Sequence, residues 1–232
     1  MDLFLFNGIR ILQKVYNGAN IYIKHGTNVK SKGERMKKTD QLHNMIELNN
    51  GYLFSSEAEA LGISRTYISK YIKENNMEKV AKGIYVTEDT WPDDLYVLQR
   101  TYSDIIYSGE TALYLHQLID REYSEISVSV PVGFSGSRLR ERGIVIHQEK
   151  PETYELGVEE ITTNFGNKVL AYNKERCICD LIRNRGKIEV QNFQTAIKIY
   201  MRSKNKDLSR LAGYAEVLKI RDEVMRYVEV LV

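Results

Sequence analysis

The sequence predicts an α+β protein: an N-terminal winged helix-turn-helix followed by a mixed α/β domain that ends in a helical C-terminal region. Three observations carry this expectation. Residues 36–90 show a helix, a glycine turn and a second helix, closed by an alternating hairpin. Residues 91 to about 172 mix short alternating strands with short helical runs, and from Lys174 onward the apolar spacing is helical to the end.

The 232 residues are 43% apolar and 28% charged with only three prolines, which suits a folded chain with an ordinary core. The apolar run from Leu3 to Ile9 is cut by Arg10, far short of the roughly 20 residues a membrane span requires. No small-residue cleavage site follows an apolar run either, so the expected location is the cytoplasm, away from membranes. Cys177 and Cys179 stand two apart, and His25, His43, His116 and His147 are scattered. That pattern supports neither a disulfide framework nor the paired ligands of a zinc site, and no metal or cofactor is expected.

Residues 1–35 carry a charge of +4, the rest −2, so the overall balance is no argument for nucleic acid and local charge must decide. This leader has weak periodicity and no amphipathic element. In an A-rich genome, which the abundant Lys, Asn, Ile and Tyr suggest, Lys32-Gly33-Glu34 would be encoded by a purine run resembling a ribosome-binding site before Met36. The expectation is therefore that translation starts at Met36 and that 1–35 is an untranslated upstream extension; a partly ordered basic arm is the alternative.

From there the elements follow in order. Leu42, Met45, Ile46 and Asn49 keep helical spacing, and Asn50-Gly51 ends that helix. Tyr52-Leu53-Phe54 is a short extended piece, and Ser55-Ser56 are N-cap candidates for a short helix ending at Gly62. Gly62-Ile63-Ser64 supplies a turn, a buried plug and a cap for a helix from Arg65 to Glu74. A wheel puts Ile68 and Ile72 inward and Thr66, Lys70 and Lys73 outward, with Arg65 nearer the core side than Lys70. Glu78 to Val86 alternates around Lys82-Gly83 as a wing hairpin. From Ser64 to Thr87 there are five basic residues against two acidic.

The outward face of the Arg65 helix would enter the major groove. There Arg65, Thr66, Tyr67, Ser69, Lys70 and Lys73 would meet bases or phosphates, while Lys79 and Lys82 on the wing would meet phosphates. Arg65 is the candidate for a guanine contact. Winged helices also serve as protein-protein modules, and basic helix faces are often merely solvated.

A second domain is expected over 91–232. Trp91-Pro92-Asp93-Asp94 caps a helix carrying Leu95, Leu98 and Tyr102. A strand over 105–108, a helix from Glu110 to Leu118 and an alternating strand from Ile126 to Val130 follow. Gly133 to Ser137 reads as a flexible loop before Arg138, Arg140 and Arg142, and Ile144 to His147 as a strand. Strands Glu160 to Thr163 and Lys168 to Tyr172 flank a hairpin turn, and helices are expected over 174–184, 191–203, 208–218 and 221–231.

No catalytic constellation stands out. A nuclease needs convergent carboxylates with a lysine, and a nucleotidyltransferase needs a Gly-Ser loop followed by paired acids. Gly136-Ser137 leads instead to arginines and an acid-free strand. A P-loop and a Rossmann fingerprint are missing as well. Glu175, Arg176 and Asp180 read as a helix-start acid with an i,i+4 ion pair on an exposed helix, and Cys177 as a small buried residue. Arg183, Arg185, Lys187, Lys198, Arg202, Lys204 and Lys206 form a basic C-terminal region that would meet an acidic protein partner, an RNA or further DNA.

The winged helix followed by Gly109-Glu110-Thr111-Ala112-Leu113, the strand Ser127 to Val130, and the run Tyr172-Asn173-Lys174-Glu175-Arg176-Cys177-Ile178-Cys179-Asp180-Leu181 together resemble the AbiEi family. These are the antitoxins of type IV abortive-infection toxin-antitoxin systems. Ala196 to Tyr200, Asp207-Leu208 with Leu211, Tyr214-Ala215 and a last helix through Tyr227 follow in the family's order, so the resemblance runs from Met36 to the end. It implies a repressor of its own operon that binds inverted repeats in double-stranded promoter DNA, as a monomer or weak dimer binding cooperatively. It also implies a C-terminal domain that counteracts a nucleotidyltransferase toxin from the neighbouring gene, with phage defence as the outcome and no chemistry of its own. The alternative is a winged-helix transcriptional regulator whose C-terminal domain senses a ligand or dimerises.

Overall fold

The computed structural model describes residues 36–231 and, within the first 35, the backbone of three strands, β1 (Leu3–Phe6), β2 (Ile9–Tyr16) and β3 (Ala19–Lys24). These pair as an antiparallel meander, where the sequence reading drew no element. The question of a start at Met36 lies outside the described residues. The chain folds as two compact units, 1–103 and 104–232. No helix among the described residues is long and apolar enough to cross a membrane.

In the first unit, α1 (Lys38–Leu48) buries Leu42, Met45 and Ile46, the expected stripe. Asn50 and Gly51 then turn the chain at φ 52° and 89°. A Cβ on Gly51 would stand 1.9 Å from Thr90 Oγ1, so only glycine fits there. Strand β4 (Tyr52–Phe54) is buried on both faces. By strand alternation Leu53 joins a core with Leu42, Ile63, Ile68 and Tyr71, while Tyr52 and Phe54 join a second cluster with Ile84, Val86 and Val97.

Helix α2 (Ser55–Ala60) follows β4 without a break: Phe54 is its N-cap residue, and Ser55 is the first helical residue rather than a cap. The Ser55 amide is used elsewhere, donating to Gly83 O at 2.9 Å. Helix α3 (Arg65–Glu74) is capped by Ser64 as expected, and it buries Ile68 with Tyr71, leaving Ile72 half-buried. Strands β5 (Glu78–Ala81) and β6 (Ile84–Val86) form the hairpin, and β6 is central in a sheet ordered β4-β6-β5.

Helix α4 (Asp94–Thr101) corrects the expected boundary, because it belongs to the first unit and the division falls after Ser103. The cause is a buried bond: the Asp93 amide donates to the Tyr52 hydroxyl at 2.7 Å. Arg100 then pairs with Glu57 of α2 and lies 4.0 Å over the Phe54 ring.

The second unit is built on a mixed five-stranded sheet ordered β10-β11-β7-β8-β9. Its elements run β7 (Ile106–Tyr107), α5 (Gly109–Leu115), β8 (Ser127–Pro131), α6 (Ser137–Arg140), β9 (Val145–Glu149), α7 (Pro151–Tyr154), β10 (Val158–Thr162) and β11 (Lys168–Tyr172). Helices α8 (Lys174–Arg183), α9 (Val190–Arg202), α10 (Leu208–Val217) and α11 (Arg221–Leu231) follow, with a 3-10 turn over Arg185–Lys187. The strands and the four C-terminal helices lie within a residue or two of expectation. Three details differ. Helix α5 stops at Leu115 because Gln117 takes φ 57°, the loop before the arginines ends in a helical turn, and α7 starts on Pro151 where no element was expected.

Candidate nucleic-acid interface

In the first unit, α3 and the wing hairpin each carry exposed cations. The Tyr67 amide donates to Ser64 Oγ at 3.4 Å, which fixes the first turn of α3. With Ile68 and Tyr71 inward, positions 65, 66, 69, 70 and 73 face outward, and Arg65, Thr66, Ser69, Lys70 and Lys73 are all exposed. The wheel's placement of Arg65 toward the core does not hold: its side chain is 84% exposed.

The exposed cations differ in what already holds them. Arg65 Nε donates to Glu59 Oε1 of α2 at 2.9 Å, and Lys70 pairs with Glu74 one turn along at 3.6 Å. Among the described residues Lys73, Lys79 and Lys82 form no ion pair. Lys82 precedes Gly83, whose φ of 76° makes the tight turn at the tip of the wing. Lys79 lies on β5 opposite Tyr85, beside the irregularity that separates it from Ala81.

Tyr67 is placed differently from expectation. Its ring is half-buried and its hydroxyl lies 3.1 Å from Thr39 Oγ1 of α1, so it braces two helices rather than projecting with Thr66 and Ser69. The same contact brings in residues that sequence reasoning missed. Lys38 Nζ sits 5.7 Å over the Tyr67 ring, so the start of α1, with exposed Lys37 and Lys38, adjoins the start of α3. The signal for it was Lys37-Lys38-Thr39 at a helix N-terminus, which gains meaning only once Tyr67 reaches back across it.

In the second unit the seven basic residues do not act as one patch. Arg183 is tied to Glu149 at 2.7 Å and Asp180 at 2.9 Å, and with Lys187 it borders one cleft. Arg185 and Lys198 border another, where Arg185 donates to the Tyr227 hydroxyl at 2.8 Å. Arg202 and Lys204 are exposed, and Lys206 Nζ donates to Ser203 O at 3.5 Å.

The charged motif of α8 forms the expected pair, Arg176 Nε to Asp180 Oδ2 at 2.9 Å, but in the interior rather than on an exposed helix. Arg176 is fully buried, with Nη1 donating to the carbonyls of Thr153 (2.6 Å) and Leu156 (3.0 Å). Burial opposes the charged form of Glu149, but bonds from Thr153 and Arg183 outweigh it and its pKa is lowered; for Asp180 burial prevails over both arginines and the pKa is raised. Glu175, also buried, accepts from the Tyr200 hydroxyl at 3.0 Å. Cys177 is buried as expected, and burial pushes its thiol pKa well up, which suits packing rather than nucleophilic work.

The exposed positions of α3 and the hairpin carry guanidinium, ammonium and hydroxyl donors, the groups that contact phosphates and base edges. Residues 36–120 match a family described as a transcriptional regulator, AbiEi antitoxin N-terminal domain. No curated protein matches the chain. Among solved structures it is similar to that of the RV2827C protein from Mycobacterium tuberculosis, at 10% identity and a TM-score of 0.49, covering 82% of this chain and 78% of the other.

Proposed function

We propose, taking an AbiEi antitoxin N-terminal domain of the transcriptional-regulator kind over residues 36–120 as the premise, that the protein is the antitoxin and autorepressor of a type IV toxin-antitoxin operon. The first unit binds inverted repeats in its own promoter. Helix α3 enters the major groove with Arg65, Thr66, Ser69 and Lys70 toward base edges, while Lys73, Lys79 and Lys82 neutralise phosphates; Tyr67 holds α3 against α1. The second unit counteracts a nucleotidyltransferase toxin encoded by the adjacent gene, working by binding rather than by catalysis. The protein acts in the cytoplasm as a monomer or weak dimer that binds its repeats cooperatively.

One observation supports this reading above the others: Lys73 on the exposed face of α3 and Lys82 at the wing tip form no ion pair among the described residues and lie within the segment that matches the regulator family. A reporter gene driven by the chain's own upstream promoter tests it. Co-expression of the full chain should repress the reporter several-fold, and Thr66→Ala with Lys82→Ala should relieve it. Repression that survives both changes, or none from the start, would remove the basis for the operator-binding half. Co-expression with the adjacent nucleotidyltransferase should restore growth, and failure to do so would remove the antitoxin half.

A further inference from the structure

The second unit contains a cleft of about 1010 Å³, at the upper end of the range of small-molecule sites. Its floor is the face of β8 and β9 that carries Ser127, Ser129, Val145, His147 and Glu149, and α8 borders it with Asp180 and Leu181. Ser129 and His147 are direct neighbours across the parallel ladder. The opposite face of β8, Val128 and Val130, is fully buried and apolar. A sheet face under a helix ordinarily reads apolar as well; here Glu149 is held by Thr153, Arg176 and Arg183 and Ser129 is bonded to the Tyr172 hydroxyl, which leaves the His147 imidazole as a polar group of this face that faces the cleft without such a tie among the described residues.

Two further observations point to a ligand. Ser108, 2% exposed at the end of β7, lines the cleft with a hydroxyl that has no hydrogen-bond partner among the described residues. Buried polar atoms are nearly always satisfied, so one left open beside a cleft marks a place for an outside partner. Beside it Gly109 has φ 53°, and a Cβ there would lie 3.1 Å from that of Ser127 and 3.6 Å from His147 Nε2; its bareness keeps the floor open. His147 is solvent-accessible through the cleft, yet burial lowers its pKa below the ordinary value, so at pH 7 it is a neutral donor and acceptor.

The rim carries both signs. Lys150 and Lys187 are exposed, and Glu125 stands with Glu110, whose carboxylate accepts from Asn192 at 3.0 Å. Such a rim fits a molecule with one anionic group and several hydrogen-bond donors, and Leu113 with Leu181 offers an apolar wall for a flat ring. We propose that this cleft binds a ribonucleoside monophosphate, with ribose or base against Ser108, Ser129 and His147 and the phosphate at Lys150 and Lys187. This goes beyond the operator-binding reading and does not depend on it.

Titration calorimetry of the full chain with AMP, GMP, CMP and UMP tests it. At least one should bind with Kd below about 1 mM, the weak end of measurable affinity. Ser108→Ala should weaken that binding about fivefold, as expected for one lost neutral hydrogen bond, without lowering the melting temperature of the free protein, because the hydroxyl bonds nothing there. His147→Leu should abolish binding. Absence of binding by all four, or an affinity unchanged by Ser108→Ala, would overturn the proposal. Because operator binding is measured separately on the same preparation, the two readings fail independently.

Discussion

Arg65 and Lys82 face the same solvent but would do different work on DNA. Lys82, at the wing tip, can offer only a point charge, so Lys82→Ala should weaken operator and random DNA alike and reduce the salt slope by about one. Arg65 and Thr66 stand at the start of α3, where bidentate and hydroxyl contacts discriminate bases, so Arg65→Ala or Thr66→Ala should lower the operator-to-random ratio about tenfold. Competition binding with both DNAs separates the two, and loss of discrimination from the Lys82 change would mean the wing reads sequence. His116 predicts a pH effect. It is buried with Nε2 2.7 Å from the Tyr172 carbonyl, which needs a proton on that nitrogen, and burial lowers its pKa below the ordinary 6.5. The unfolded chain then binds more protons in the window starting near that value, so His116 contributes stability at pH 7 that is lost as pH falls toward its folded pKa. Urea unfolding at pH 7.5 and 5.5 should show the native chain losing more stability than His116→Gln; equal losses would contradict the assignment.

At the level of elements, the winged helix was legible because its signals are local. The α1 stripe, the Gly62-Ile63-Ser64 turn, the Ser64 cap and the Lys82-Gly83 hairpin each need only a few neighbouring residues. The errors came from contacts distant in sequence. Helix α4 reads as the start of a new domain until the Tyr52 hydroxyl, 41 residues back, accepts the Asp93 amide. Tyr67 reads as outward until α1, 28 residues back, supplies Thr39. Arg176 and Asp180 have the same i,i+4 spacing on a wet helix or in a core, and only the carbonyls of Thr153 and Leu156 show which applies. Two changes measure these attachments. Tyr52→Phe removes the hydroxyl that accepts from the buried Asp93 amide and should cost about 1 kcal/mol in urea unfolding, with α4 the first to lose hydrogen-exchange protection. Arg176→Ala leaves Glu149 and Asp180 buried with one partner fewer and should cost about 3–5 kcal/mol. A loss under about 1 kcal/mol in the second case would show that the buried network contributes little to holding α8.

For the whole molecule, the two units divide the chemistry. The first carries exposed cations on α3 and the hairpin, within the segment that matches a regulator domain. The second carries an internal arginine-carboxylate network and a polar cleft. Overall net charge, +2, does not show this, because the local excess of cations between Ser64 and Thr87 is offset by acids elsewhere in the chain. The fold class and the order of elements could be read from the sequence, whereas the cleft could not, since Ser108, Ser129 and His147 meet only through the pairing of β7, β8 and β9. The proposed function rests on recognition of the chain's own operator by the winged helix. Fluorescence anisotropy of the full chain with its upstream promoter DNA and a shuffled control, at roughly 50 and 200 mM salt, tests it most directly. Tight binding to the promoter, much weaker binding to the control, and a steep loss of both with salt are the expected results. Equal affinity for the two DNAs at both salt concentrations would contradict it.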